Sequence, residues 1–205
     1  MIELKIWILK GDYNARRCFD AEDSMNNTSN LYDFHRKNVI DDWPGLKVTF
    51  ISGKKRADIL PVNNIISFTS YSCLFIADEY AKQKISEKYN SFQFLPVEPI
   101  EKDIASKSSY YLPNLNEFAY VLDEEKSQFE YFRETYVSRI RKYYFLDGVK
   151  EYPVFYLKIT SRKFAFFDIF VTDEFKDYVE SCGITGFVFK EVFDFDNPDK
   201  EYPLI

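Results

Sequence analysis

A single histidine, three cysteines and six glycines in 205 residues leave little room for several common kinds of active site. Zinc centres draw on clustered Cys and His, whereas Cys18, Cys73 and Cys182 are widely spaced and none pairs with His35 in a metal-like pattern. An odd cysteine number at such spacing also argues against a disulfide framework, so a reducing compartment is expected. The glycines fall singly in turns, and Ser52-Gly53-Lys54-Lys55 lacks the wider frame of a phosphate-binding lysine loop. No local signature sets a nucleophile beside His35. Apolar runs never approach the roughly 20 residues of a membrane span. The opening MIELKIWILKGDY alternates charge with apolarity rather than forming the blocks of a signal peptide. A cytoplasmic protein is expected, with no membrane partner.

What the chain does have is aromatic mass. It carries 21 Phe, 16 Tyr and 2 Trp, a load that favours β-structure and thick aromatic packing. With 46% hydrophobic and 29% charged residues it reads as an ordinary globular chain rather than a disordered one. The net charge is 27 − 33 = −6, which argues against general affinity for nucleic acid. The distribution is uneven. Residues 168–205 hold ten acids and three lysines, so this segment is −7 and the remaining 167 residues together are +1. Either a solvated acidic face or a surface for a basic partner accounts for it.

Residues 2–9 alternate as a strand with Ile2, Leu4, Ile6 and Ile8 on one face, and 46–51 give another. Residues 11–45, rich in Asn, Asp and Arg, read as a long connection with room for a short helix. Asp147-Gly148, between aromatic runs, is the strongest local hairpin signal and predicts two strands pairing around it. A repeat emerges when 74–99 is laid on 169–194 without a gap. Seven positions are identical, among them Asp78/Asp173, Glu79/Glu174, Phe92/Phe187 and Phe94/Phe189. Each copy reads strand, helix, strand. The expectation is therefore an α+β fold, a mixed β-sheet with helices, containing two pseudo-repeated strand–helix–strand units. One domain would comprise related halves, about 1–105 and 106–205, with repeat units at 58–100 and 150–195.

The paired carboxylates after each first strand fit helix starts better than catalysis. Asp78 and Asp173 stand where a side chain accepts hydrogen bonds from free backbone N–H groups, and Glu79 and Glu174 follow where the helix dipole favours negative charge. Phe175, Tyr178, Val179 and Cys182 then make one apolar stripe, closed by Gly183 as C-terminal cap; Tyr80, Ala81, Ile85 and Tyr89 make a less regular one. Asp41-Asp42, Asp123-Glu124-Glu125 and Asp194/Asp196 could each hold a divalent metal, but such pairs usually face solvent. Arg133, Arg139, Arg141 and Lys142 alternate with Tyr136, Tyr143 and Tyr144; in an acidic chain this reads as a charged outer strand face rather than a nucleic-acid stripe. Composition and spacing alone leave the function open.

Three passages carry a family resemblance: the strand–helix unit ending in Pro-Val at 74–97, Tyr110-Tyr111-Leu112 with Asp123 to Ser127, and Gly183-Ile184-Thr185-Gly186-Phe187-Val188-Phe189. The chain in these passages is similar to a bacterial immunity-protein family of polymorphic-toxin loci, immunity protein family eleven, over about residues 58–195. The resemblance implies an antidote that binds and blocks a cognate toxin, with no catalytic residue, cofactor or metal ligand to carry over. An acidic face would suit a basic, nuclease-like toxin. The expected contacts are Asp194, Asp196, Asp199 and Glu201 around Phe193, Phe195 and Tyr202, the alternative being that these aromatics pack on the protein's own sheet. A carboxylate- or metal-dependent enzyme and a regulatory or scaffolding module remain the rival classes.

Overall fold

Short, continuously apolar runs make several of the strands, and such runs form when both faces of a strand are covered. Ile65–Phe68, Val154–Leu157 and Ile169–Thr172 are buried at every position. The computed structural model describes residues 4–13, 17–20, 40–43, 45–51, 63–68, 74–102, 108–133, 136–160, 166 and 168–203. His35, the loop at 24–30 and the basic turn at 52–58 lie outside them.

Five strands form a mixed sheet in the order β13 (Phe187–Asp194), β1 (Lys5–Gly11), β12 (Ile169–Thr172), β11 (Val154–Leu157) and β8 (Phe118–Ala119). Here β12 is antiparallel to β1, with Ile6 opposite Thr172 and Leu9 opposite Ile169, and antiparallel to β11; β8 is parallel to β11. Six strands close a barrel in the order β2 (Arg17–Asp20), β3 (Lys47–Ile51), β6 (Phe92–Pro99), β7 (Tyr110–Leu115), β5 (Phe75–Asp78) and β4 (Ile65–Phe68). The parallel pair β2/β4 makes the closure, with Cys18 opposite Phe68. A two-stranded ribbon, β9 (Gln128–Phe132) and β10 (Tyr136–Lys142), completes the strands among the described residues. Two α-helices are described over their whole length, α1 (Glu79–Lys88) and α2 (Asp173–Ser181).

The chain packs as two compact units. One comprises Met1–Leu9, Glu117–Tyr178 and Phe189–Ile205, the other Lys10–Asn116 and Val179–Val188. Each has its own apolar cluster. In the first, Phe145 meets Phe155, Phe170 and Phe193 edge-on at centroid distances of 6.4, 6.0 and 5.7 Å, and Phe155 stacks on Phe170 at 5.7 Å. Beyond burial, such pairs add about 0.5–1.5 kcal/mol each. In the second, Val48, Ile66, Phe68, Ile76, Leu95 and Leu112 pack together with less than 3% of each exposed.

Both strand–helix–strand stretches carry one strand between their two flanking strands. In the barrel β7 lies between β5 and β6, and in the mixed sheet β1 lies between β12 and β13. The strand just upstream pairs antiparallel on the outer side in each case, β4 on β5 and β11 on β12. The inserted strand follows its stretch in the first instance and precedes it in the second. The helices differ in rotation. Ala81 and Ile85 are the buried pair on α1, whereas Phe175 and Val179, one residue earlier in the alignment, are buried on α2. Tyr80, counted with the α1 stripe from the sequence, is exposed, and its hydroxyl donates to the Cys182 carbonyl at 2.7 Å.

Two expectations are corrected. Asp147-Gly148 is not a hairpin turn: Asp147–Glu151 is a 3-10 helix, β10 pairs with β9, and β11 pairs with β12 and β8. A two-residue hairpin turn would require positive φ at its glycine, and Gly148 is not among the positive-φ glycines. The 3-10 turn instead places Val149 in the core, fully buried. The second correction falls in the connection at 11–45, which includes β2, a strand set by its partners β3 and β4 rather than by its own composition.

Candidate interaction surface

The acidic C-terminal segment divides into a part that serves the fold and a part that meets solvent. Phe193 lies in the core, 4.9 Å from the Phe195 ring and 6.0 Å from that of Tyr144. Asp194 is also buried: Lys5 Nζ lies 3.8 Å from one carboxylate oxygen, and the Asp196 backbone N–H donates to the other at 3.0 Å. Phe195 is partly buried against the same cluster. Asp196, Asp199 and Glu201 are exposed, and Tyr202 is half-buried with its hydroxyl donating to Glu191 Oε1 at 3.0 Å. Burial, then the Glu191 carboxylate, push the Tyr202 phenol above its ordinary range.

Asp199 accepts from the Tyr144 hydroxyl at 2.6 Å and from Lys142 Nζ at 3.4 Å. These two bonds hold its carboxyl below the usual 3.8, so the group is ionised throughout the neutral range. Between this segment and β10 runs an open cleft of about 220 Å³, lined by Gln128, Ile140, Tyr143 and Tyr202 among others. Its cations are engaged locally: Arg141 with Glu130, Lys142 with Asp199, Lys200 with Glu191. Tyr143 stacks on Phe145 with planes 2° apart, and burial raises its phenol pKa. What the cleft offers is hydrogen bonding and ring surface. Among the described residues, no group of three or more His, Cys, Asp and Glu side chains is arranged to hold a metal ion.

The β9–β10 ribbon borders the same cleft. Register pairs Phe132 with Tyr136, Tyr131 with Val137, Glu130 with Arg139 and Phe129 with Ile140. Strand alternation therefore puts Phe132, Tyr136, Glu130 and Arg139 on the outer face. Val137 and Ile140 anchor the inner face in the core. At the turn end Tyr131, Phe132 and Tyr136 are 54, 57 and 50% exposed, and Arg133 lies over the Phe132 ring at 5.1 Å. Arg133 adopts φ 51°, a left-handed conformation that costs about 1 kcal/mol for a residue with a Cβ. The ribbon's other end is clamped. Lys126 N–H donates to Asp123 Oδ1 (3.1 Å), Ser127 N–H to the Asp123 carbonyl (2.9 Å), and Tyr144 N–H to Ser127 Oγ (3.0 Å). The spacing of Asp123 and Ser127 thus fixes where the ribbon leaves the core. Of the residues the sequence set on an outer strand face, Tyr136, Arg139 and Arg141 are exposed, whereas Tyr143 and Tyr144 follow β10 and pack against the core. Tyr131 and Phe132 were not among them; their signal was an aromatic pair next to a turn.

The two helix-start aspartates share a position and differ in partners. Asp78 caps α1, its Oδ1 accepting from Ala81 N–H at 2.8 Å while Asn64 Nδ2 donates to Oδ2 at 2.9 Å. Asp173 is already the first residue of α2, and its carboxylate reaches β1 instead, accepting from Lys5 N–H at 2.5 Å and Trp7 Nε1–H at 2.8 Å. The closing glycine passage is structural too. Gly183 takes φ 70° to end α2, with Ile184 N–H donating to the Val179 carbonyl. Gly186 takes φ 98°, and a Cβ there would sit 2.2 Å from the Ile65 carbonyl oxygen. The carbonyl of Thr185 accepts from Ile65 N–H at 3.0 Å and that of Gly186 from Asp12 N–H at 2.8 Å. Glycine is required where two backbones approach this closely.

No helix among the described residues is long and apolar enough to cross a membrane. Comparison with known proteins gives no match to any curated protein. A family model, that of the immunity protein family Imm11, matches residues 7–194, a span that takes in both units, the ribbon and the glycine passage. With that match extending over nearly all of its length, the chain belongs to the immunity protein family Imm11.

Proposed function

We propose that the protein protects the cell that makes it by binding a cognate toxin directly and holding it in an inhibited complex. Family membership across residues 7–194 carries this reading. An antidote of this kind requires a stable scaffold and a complementary surface rather than a reacting centre. The exposed carboxylates Asp196, Asp199 and Glu201, with Tyr202 at the cleft, supply the contact face; Phe193, Asp194 and Phe195 hold it from beneath. A face of this sign fits a basic toxin domain, such as a nuclease, because opposite potentials speed encounter and fix orientation. Complex formation takes place in the cytoplasm and engages neither nucleic acid nor membrane on the antidote's side.

Co-purification of the tagged full chain from its native cells, with toxin expression verified, tests the proposal. The expected result is a toxin domain recovered in equal amount, together with loss of toxin activity on titration. For the contact face, lysine at Asp196, Asp199 and Glu201 together should slow association by roughly 10-fold or more and reverse its salt dependence. Unchanged affinity would remove these residues from the interface. A clean preparation lacking any partner would turn the balance toward an enzyme or scaffold.

A further inference from the structure

The antidote reading leaves open what supplies the apolar part of the interface. Ten large hydrophobic side chains are strongly exposed among the described residues, and three of them, Tyr131, Phe132 and Tyr136, cluster at one end of one ribbon. Phe132 and Tyr136 are cross-strand partners on the outer face, while Tyr131 lies on the opposite face, where Val137 beside it is 1% exposed. The ribbon therefore carries aromatic rings on both faces at its turn. Isolated exposed aromatics are ordinary; a two-sided cluster at one end of a ribbon is not.

The element is also held in place. Val137 and Ile140 are in the core, and the Asp123–Ser127–Tyr144 bonds fix its far end. Register shifts between Val137 and Arg139 and between Ile140 and Lys142 make β10 irregular, and such irregularity discourages a further strand from adding along that edge. Rings on a rigid support lose little freedom on binding, and such residues dominate interface energetics.

Charge identifies the occupant. Residues 128–142 contain Arg133, Arg139, Arg141 and Lys142 against Glu130 and Glu134, formally 4 − 2 = +2 in a chain of −6; Arg141 and Lys142 are held by Glu130 and Asp199, so the cation offered beside the outer-face rings is Arg139. Arg139 is exposed on the same outer face as Phe132 and Tyr136. We infer that this ribbon end is the apolar anchor of the toxin interface: Tyr131, Phe132 and Tyr136 enter a recess on the toxin whose rim carries carboxylates that face Arg139. The inference rests on the antidote reading above. It gives the complex two patches of opposite sign, the ribbon end and the Asp196–Glu201 face; the cleft itself meets the ribbon at its other end, at Gln128 and Ile140. Opposed patches fix register and exclude toxins with the wrong pattern.

The test uses the toxin domain recovered by co-purification, rendered inactive, and titrates it with the full chain and its variants. Phe132→Ala and Tyr136→Ala should each weaken binding roughly 10- to 100-fold, as buried aromatic anchors do. Arg139→Glu should weaken it and Phe132→Tyr should restore most of it. Tyr120→Ala, at a residue 62% exposed and outside the ribbon, is the control and should bind within about 2-fold of the parent. Because the three ring positions are exposed, melting temperatures should stay at the parent value, which separates lost contact from lost fold. If the parent binds and the ribbon variants bind equally well, the inference is overturned while the antidote reading stands. A parent that does not bind the toxin overturns both. Ribbon variants that keep toxin affinity but lose self-association in sedimentation, or lose retention on single-stranded DNA or anionic vesicles, assign the rings to that other occupant and overturn the inference.

Discussion

Asp173 is the residue at which a catalytic and a structural reading of the carboxylate pairs part most clearly. Its two oxygens accept from Lys5 N–H at 2.5 Å and Trp7 Nε1–H at 2.8 Å, tying the start of α2 to β1, some 166 residues distant in sequence. A hydrogen bond to a charged group contributes about 1.5–3 kcal/mol, and two would give roughly 3–6 kcal/mol. The side chain is half-buried, so solvent compensates part of each loss, and Asp173→Ala is expected to cost about 2–4 kcal/mol. Asp173→Asn keeps one acceptor oxygen and turns an amide N–H toward the other donor; about 1–3 kcal/mol is expected. Urea titration followed by tryptophan emission, which includes Trp7 beside the altered group, and by far-UV circular dichroism measures both. Asp177→Ala supplies the surface comparison, since its pairing with Lys176 is long at 3.8 Å and its side chain is 72% exposed; a change within about 0.5 kcal/mol is expected. Toxin affinity should match the parent wherever Asp173→Asn remains folded. A variant that is fully stable yet fails to protect cells would refute the reasoning, because it would give Asp173 a role in the reaction or the contact rather than in the fold.

Further outcomes follow from other single positions. Gly186→Ala must fit a Cβ 2.2 Å from the Ile65 carbonyl oxygen at φ 98°, so a loss of about 3 kcal/mol or more is expected by denaturant titration. Thr172 is 2% exposed and its Oγ1 has no hydrogen-bond partner among the described residues, so Thr172→Val, of the same shape, should be neutral or stabilise by up to about 1 kcal/mol; a marked loss would reveal a hidden partner for the hydroxyl. Melting temperature should be flat near neutrality and fall at both extremes of pH. On the acid side, Asp123 and Asp199 lie below 3.8 and Glu79 below 4.5 in the folded chain, through bonds from Lys126, from Tyr144 and Lys142, and from Tyr111 and Lys82 respectively. The unfolded chain binds more protons in that window, so their stabilisation is complete above those ordinary values and is lost as pH falls through the folded ones. On the alkaline side Tyr143 and Tyr202, raised from 10.0, and Lys142, raised from 10.5, hold protons longer when folded, so their contribution is lost as pH rises past those values. Asp123→Asn should flatten the acid limb in a melting series taken between about pH 3 and 7.

What could be read from the sequence was local. The period-2 pattern of β1, the strand–helix–strand order at both aligned stretches and the Gly183 cap each follow from a few neighbouring residues. Where local and distant forces compete, the sequence misleads. Asp147-Gly148 has the composition of a tight hairpin, but the core takes Val149 and a 3-10 turn delivers it, so the strands on either side find other partners. β2 is invisible for the same reason: four residues become a strand because β3 and β4 present free edges to them. The Asp173 carboxylate aligns with that of Asp78 and yet answers to β1, whose backbone the alignment does not contain.

The proposed interaction surface shows the limit most sharply. Phe193 and Phe132 are indistinguishable by residue type, each an aromatic flanked by charge along a strand. One is 3% exposed and the other 57%, because Tyr144, Phe145 and Phe195 close over Phe193, whereas β9 has carried Phe132 past the end of the core. Asp194 and Asp196 form an equally uniform pair in the sequence. Lys5, from the far end of the chain, draws the first inward, and the second remains at the surface. The acidic composition of this segment was therefore legible, while the choice of which acids and which rings are free to meet a partner belongs to tertiary packing. A binding surface is harder to read than a catalytic centre on this account: its residues are of the same types as those of a core or a solvated face, and only exposure separates them.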